Sequence, residues 1–178
     1  MGAGTVVHAG VDVGAHGCIG EHCVLGVGEP SLGALSIGPD AIIRSHSVVY
    51  RGSRLGAGLE TGHHTVIRER TVAGEGLRVG NFSDIEGDCV IGDYCRFHGY
   101  VHVGKGSRIG DFVWIFSLAI LTNDPLPPSD VRMPVVVEDG AVICVGAVLM
   151  PGVVVGKGAL VAAGAHVTRN VPPGRVVA

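Results

Sequence analysis

The chain has 178 residues, and its 13 basic against 16 acidic side chains give a net charge of -3 with no basic cluster, which excludes nucleic acid as a partner. Hydrophobic residues make up 47% but aromatic residues 4%, and 30 positions are glycine, so the core is thin and aliphatic. Mean hydropathy is +0.44, yet no apolar stretch of about 18 residues occurs, which excludes a membrane-spanning helix.

The chain starts Met1-Gly2-Ala3-Gly4-Thr5-Val6-Val7-His8, with none of the basic-then-apolar order of a secretory signal. From Val7 onward every sixth residue is large and apolar, nearly always aliphatic: Val13, Ile19, Leu25, Ile37, Ile43, Val49, Leu55, Ile67, Val79, Ile85, Ile91, Phe97, Val103, Ile109, Ile115 and Leu121. Ser31, Thr61 and Ala73 depart from the rule, and the pattern resumes at Val137 and runs to Val167. A period of six is not helical, and a fixed internal period predicts stacked coils of strand. The residue after each aliphatic one is often glycine, as at Gly38, Gly62, Gly80 and Gly92. These glycines are expected to supply the backbone angles that turn each corner. Two positions before each aliphatic residue the side chain is small, as at Ser47, Ser53, Thr65, Ser83, Cys89 and Cys95. Residues two apart share a face of a strand, so large and small side chains alternate inward.

Five cysteines include no Cys-x-x-Cys pair, so neither a structural zinc site nor a redox motif is expected. Cys23, Cys89 and Cys95 take the small inward position, and an odd number of thiols suits a reducing, cytoplasmic setting.

The repeat breaks after Leu121. Thr122 to Pro134 carries four prolines, Pro125, Pro127, Pro128 and Pro134, and proline has no donor for a strand ladder. The hexad expected at 127 begins at 137, so ten residues are inserted and an external loop over about 122–136 is predicted. Insertions in solenoids form loops on one face, commonly the binding face.

The hexads resemble the hexapeptide-repeat family of acyltransferases. The resemblance implies an all-β fold, a left-handed parallel β-helix of triangular section with three hexads per turn. One domain would span 1–178, with coils over about 7–121 and 137–172. Residues 18 apart then stack, separated by about 4.8 Å. Stacking puts Asp84 directly beneath His102, one coil below the strand that launches the loop. A carboxylate beside an imidazole orients it and raises its basicity, which makes His102 a candidate general base with Asp84 as its support. His98, at a corner usually held by glycine, is a second candidate. Arg68 stacks under Glu86 as a surface pair, and the next column holds Glu69, Gly87, Lys105 and Asn123. His8, His16, His22, His46 and His64 sit at outward corners; His46 and His64 should stack, an arrangement able to bind a metal weakly. No dedicated metal site is expected.

Val49-Tyr50, Thr61-Gly62-His63, Ile67-Arg68-Glu69, Ile85-Glu86-Gly87 and above all Leu121-Thr122-Asn123-Asp124 with Pro127-Pro128-Ser129 are similar to family members that N-acetylate nucleotide-linked amino sugars. That likeness implies acetyl-CoA as cosubstrate, substrate contacts from Asn123, Asp124, Arg68 and Glu86, and a homotrimer with sites between prisms. The runs Leu149-Met150-Pro151-Gly152-Val153 and Val161 to Pro172 are similar to the family's closing coils. They imply CoA contacts from Gly146, Ala163, Gly164, Thr168 and Arg169. The loop holds no histidine, unlike O-acetyltransferases of this fold, which favours an amine acceptor. Alternatives are an O-acetyltransferase of a small hydroxyl substrate, a non-enzymatic assembly subunit, or a zinc protein like the γ-carbonic anhydrases. For the last of these, His98 and His102 stand at the wrong spacing.

Overall fold

A computed structural model describes residues 1–126, 128 and 130–178. The hexads form short strands, mostly of two residues, that pair in parallel into three sheets of nine, eight and nine strands. The first sheet stacks Val48–Tyr50, Val66–Ile67, Asp84–Ile85, His102–Val103 and Ile120–Leu121. The second contains Val90–Ile91, Arg108–Ile109 and Val136–Val137. The third contains Arg78–Val79, Arg96–Phe97, Trp114–Ile115 and Val142–Ile143. The chain visits the sheets in turn, so three corners separate them. The first lies between sheets one and two, the second between two and three, and the third between three and one. No helix among the described residues is long and apolar enough to cross a membrane.

The inward side chains are those the period selects. Val49, Ile67, Ile85, Val103, Leu121 and Leu149 form one fully buried column of the first sheet. At Thr61 the large and small positions are exchanged: Leu59 fills the space two residues earlier, and both are buried. The small inward hydroxyls have a second role. Ser83 Oγ donates to the His98 carbonyl (2.9 Å), Ser53 Oγ to the Arg68 carbonyl (3.0 Å) and Ser107 Oγ to the Gly104 carbonyl (2.6 Å). Each satisfies a corner carbonyl that the ladder leaves unpaired. Burial pushes the Cys89 and Cys95 thiols up to about 11, so these cysteines pack and do not react.

Three expectations need correction. Apart from Gly26, at φ 83, the glycine after each aliphatic residue does not turn the corner. Left-handed angles fall two residues further on, at Gly52, Gly76 and Gly106, or at Asp88, Tyr94 and His64 in other coils. The earlier glycine is required by close approach. A Cβ at Gly62 would sit 2.3 Å from the Asn81 nitrogen, and one at Gly80 2.4 Å from the His98 carbonyl carbon. At Gly92 it would lie 2.2 Å from Asp111 Oδ1, the atom that accepts the Asp93 N–H at 2.8 Å.

Ser31 is not a defect in a strand either. It lies in a 3-10 segment, Pro30–Leu32, that bulges from the coil. Pairs whose connection spans the bulge lie 24 positions apart (Val11 with Leu35); pairs wholly before or after it lie 18 apart (Val6 with Val24, Ile37 with Leu55). The bulge consumes one whole hexad, so the phase survives and conceals it. The larger insert does shift the phase, pairing Leu121 with Leu149; Val135 is buried and the next strand is Val136–Val137. The coil also runs beyond 172: Val176–Val177 pairs with Leu160–Val161, closing the stack with a shorter turn.

If close approach is what these glycines serve, substitution at Gly38 is costly because its Cβ would meet the Ala57 and Gly56 backbone at 2.6–2.7 Å. Gly38→Ala should lower unfolding stability by about 1–3 kcal/mol. Gly140→Ala, at φ 65 with no atom within 4 Å, should cost about 1 kcal/mol. Denaturant unfolding of the two variants measures the difference.

Candidate active site

The parallel register decides which outward side chains meet. Asp84 and His102 are direct strand partners, and Nδ1 of His102 lies 2.9 Å from Asp84 Oδ2. A carboxylate accepts and does not donate, so the proton of the neutral ring resides on Nδ1 and the lone pair on Nε2. Hydrogen bonding to Asp84 raises the His102 pKa above the usual histidine value; partial burial opposes this, and the charges of Asp84 and Glu86 add to it.

The loop leaves the coil at the first corner, directly above. A hollow of about 590 Å³ lies under it, lined by Arg68, Glu86, His102, Lys105, Asn123, Asp124 and Arg132 among others. The loop's base is tied down at both ends. The Met133 N–H donates to the Asn123 carbonyl (2.7 Å), and the Gly152 N–H donates to the Met133 carbonyl (2.8 Å). Arg132 Nη1 lies 3.4 Å from Asp124 Oδ2. Asn123 Nδ2 reaches the Lys105 carbonyl at 3.4 Å, which fixes the amide over the coil below.

A charge network forms the floor, and its centre was missed by sequence reasoning. Glu69 is only 7% exposed. Arg68 grips its carboxylate at 3.1 and 3.2 Å, and Lys105 Nζ approaches at 3.6 Å from two coils above. Between them stands Gly87, at φ 95; a Cβ there would meet the Glu69 carbonyl oxygen at 2.7 Å, with the carboxyl carbon at 3.4 Å. The missing side chain is what lets Lys105 reach down. Burial pulls the Glu69 pKa up, but its own backbone N–H, Arg68 and Lys105 together hold it below the usual carboxylate range. Lys105 also pairs with Asp88 at 3.2 Å. The column Glu69, Gly87, Lys105 carried the signal in the sequence, since a glycine between opposite charges leaves a gap for them to cross.

Arg68 therefore pairs with its neighbour Glu69, not with Glu86 as stacking suggested. Glu86 instead accepts the Lys105 N–H at 3.3 Å, and Arg68 also lies over the Tyr50 ring at 5.8 Å. The two candidate histidines are not brought together. His98 lies at the third corner, packed on Phe116 with ring centres 4.5 Å apart, and borders a different hollow. The expected CoA contacts also divide. Gly146 and Gly164 occupy successive coils of the third corner, where the Gly164 N–H donates to the Val145 carbonyl, and both are open to solvent beside exposed Ala163. Thr168 and Arg169 are exposed at the first corner. His46 and His64 do stack, with centres 4.7 Å apart, but face to face, so their nitrogens do not converge. No cluster of three or more His, Cys, Asp or Glu able to hold a metal occurs among the described residues.

Neither a protein-family model nor a curated protein sequence matches the chain. Solved structures do. An Arabidopsis UDP-N-acetylglucosamine acyltransferase superposes with a TM-score of 0.59 at 19% identity, over 96% of this chain and 68% of that one. A UDP-N-acetylglucosamine acyltransferase from Bacteroides fragilis gives 0.54 at 14% identity, over 98% and 69%. The fold is the hexapeptide-repeat β-helix. Within it, the dyad of Asp84 and His102 sits on the first sheet at the edge from which the loop departs.

The dyad has a solution signature. The raised pKa means that the protonated pair stabilises the fold below the ordinary histidine value, and that this contribution is lost as pH rises through the folded value. Asp84→Asn should lower the His102 pKa in an NMR titration of the imidazole, while the other imidazoles keep theirs.

Proposed function

We propose that the chain is an acetyl-CoA-dependent N-acetyltransferase acting on an amino sugar, most simply a nucleotide-linked one. The observation that carries this reading is an imidazole supported by a carboxylate at 2.9 Å, lining a hollow capped by a loop rich in polar groups. The likeness to UDP-N-acetylglucosamine acyltransferases supports acyl transfer to a nucleotide-linked sugar. Arg68, Lys105 and Arg132 line the hollow, each already set by a carboxylate of the protein, and could turn toward the oxygens of a diphosphate.

In this mechanism the acceptor amine attacks the thioester carbonyl. The new C–N bond forms, Nε2 of His102 takes the nitrogen's proton, and the C–S bond breaks as the thiolate leaves. The proton then passes to the thiolate. Asp84 keeps Nδ1 protonated throughout and stabilises the imidazolium. Asn123 and Asp124 position the acceptor, with Arg68 and Glu86 below. His98, at another corner and in another hollow, serves this acceptor less well than His102. Gly146, Ala163 and Gly164 would let the pantetheine arm approach the backbone, and Arg169 would meet a CoA phosphate; a homotrimer would bring these coils against a neighbouring prism.

One observation favours a second reading, O-acylation. A carboxylate-supported imidazole is a stronger base than a neutral amine requires, and a hydroxyl acceptor would need it.

Purified protein should release CoA thiol from acetyl-CoA when offered UDP-linked amino sugars, and not their hydroxyl counterparts. His102→Asn should lower kcat by about 10²–10⁴-fold and His98→Asn by far less. In the wild type the rate should rise with pH through a value above the ordinary histidine pKa, and Asp84→Asn should move that limb down. Unchanged turnover in His102→Asn, with sedimentation showing a monomer, would end this reading.

A further inference from the structure

The third sheet carries a second hollow that the acyl-transfer reading does not use. Its volume is about 480 Å³, and it is lined by Arg44, Glu60, His63, Arg78, Arg96 and His98, with a floor of glycines. The register stacks Glu60, Arg78, Arg96 and Trp114 in one outward column. Three guanidinium groups therefore face one carboxylate. Glu60 is shared: Arg44 Nη2 reaches it at 2.7 Å and Arg78 Nε at 3.5 Å. Arg96 lies instead over the Trp114 ring at 5.5 Å, with no carboxylate in ion-pair range among the described residues.

A separate observation points to a ligand. Nε2 of His98 is buried with no hydrogen-bond partner among the described residues. A buried ring nitrogen is costly to leave unpaired. The ring is packed against Phe116, with centres 4.5 Å apart, and borders the hollow. His63 is fixed by hydrogen bonds instead: its ring Nδ1 lies 2.8 Å from Ser45 Oγ, and its backbone N–H donates to Asn81 Oδ1 at 2.7 Å.

From these groups we infer that the hollow on the third sheet is a binding site for a phosphate-bearing small molecule, with Arg78 and Arg96 as its main anchors and His98 Nε2 as a further donor. The excess of two positive charges matches a phosphate dianion, which carries about -1.5 to -2 at neutral pH. Arginine forks suit phosphate oxygens better than a point charge does. The site is independent of the loop, of His102 and of the acyl transfer proposed above, so it stands or falls separately.

Trp114 makes the test local, because it is the single tryptophan and it packs on Arg96. Inorganic pyrophosphate, titrated into the full chain, should give a saturable change in tryptophan emission and a matching heat in calorimetry. Sodium chloride of equal ionic strength should give neither. Arg78→Gln/Arg96→Gln should weaken the calorimetric affinity at least about tenfold, while Arg54→Gln, on the second sheet, should leave it unchanged. His98→Phe keeps the packing on Phe116, removes Nε2 and should weaken binding about threefold or more. Circular dichroism checks that each variant keeps the wild-type fold. No saturable binding up to about 10 mM, or equal affinity in wild type and the His98→Phe and double-arginine variants, would overturn the inference.

Discussion

Each coil hydrogen-bonds to the next through strands only two residues long, and that ladder has almost no slack. Val103 lies beside Leu121 and Ile85 beside Val103, with the corner N–H groups donating to the coil above, as Gly104 does to Leu121 at 2.8 Å. Where glycine recurs just after the inward residue, as at Gly38, Gly62 and Gly80, the coil above approaches too closely for a Cβ, so glycine serves there for reasons of space. Left-handed backbone is a separate requirement, met two residues later by glycine or by side chains that point outward. Because the ladder cannot slip, outward residues fall into columns, and the chemistry of the surface is the chemistry of those columns.

The candidate active site is built from two such columns and the loop between them. One column sets Asp84 under His102. The other sets Glu69 under Gly87 under Lys105, and the gap at Gly87 lets opposite charges meet across two coils. The buried Glu69 carboxylate anchors both Arg68 and Lys105, so two cations at the mouth of the hollow are held in place before any ligand arrives. Preorganised charge of that kind needs no rearrangement on binding. The third sheet repeats the design with arginines, Glu60 taking the part of the shared carboxylate.

The stacked parallel coil was legible because a period of six recurs without slipping, while its left hand and triangular section came from the resemblance to the hexapeptide-repeat family. The dyad was legible for the same reason, since Asp84 and His102 differ by one turn. Other features were hidden by physics the period does not carry. The bulge at Ser31 takes up one full hexad and leaves no phase shift to see. Arg68 prefers the adjacent Glu69, because a buried carboxylate gains more from a partner than the exposed pair one coil up would. His98 and His102 are four residues apart in sequence, but a corner lies between them, so they border different hollows. The roles of Asn123, Asp124 and the closing coils come from resemblance, because neither period nor register says what an outward side chain binds.

The account rests on Asp84 and His102 acting as one unit. A double-mutant cycle on kcat/KM for acetyl transfer measures this, using Asp84→Asn, His102→Gln and the pair together. If the carboxylate works through the imidazole, the double variant should be no slower than His102→Gln alone. Losses that multiply would mean that the two residues act separately, and would contradict the account.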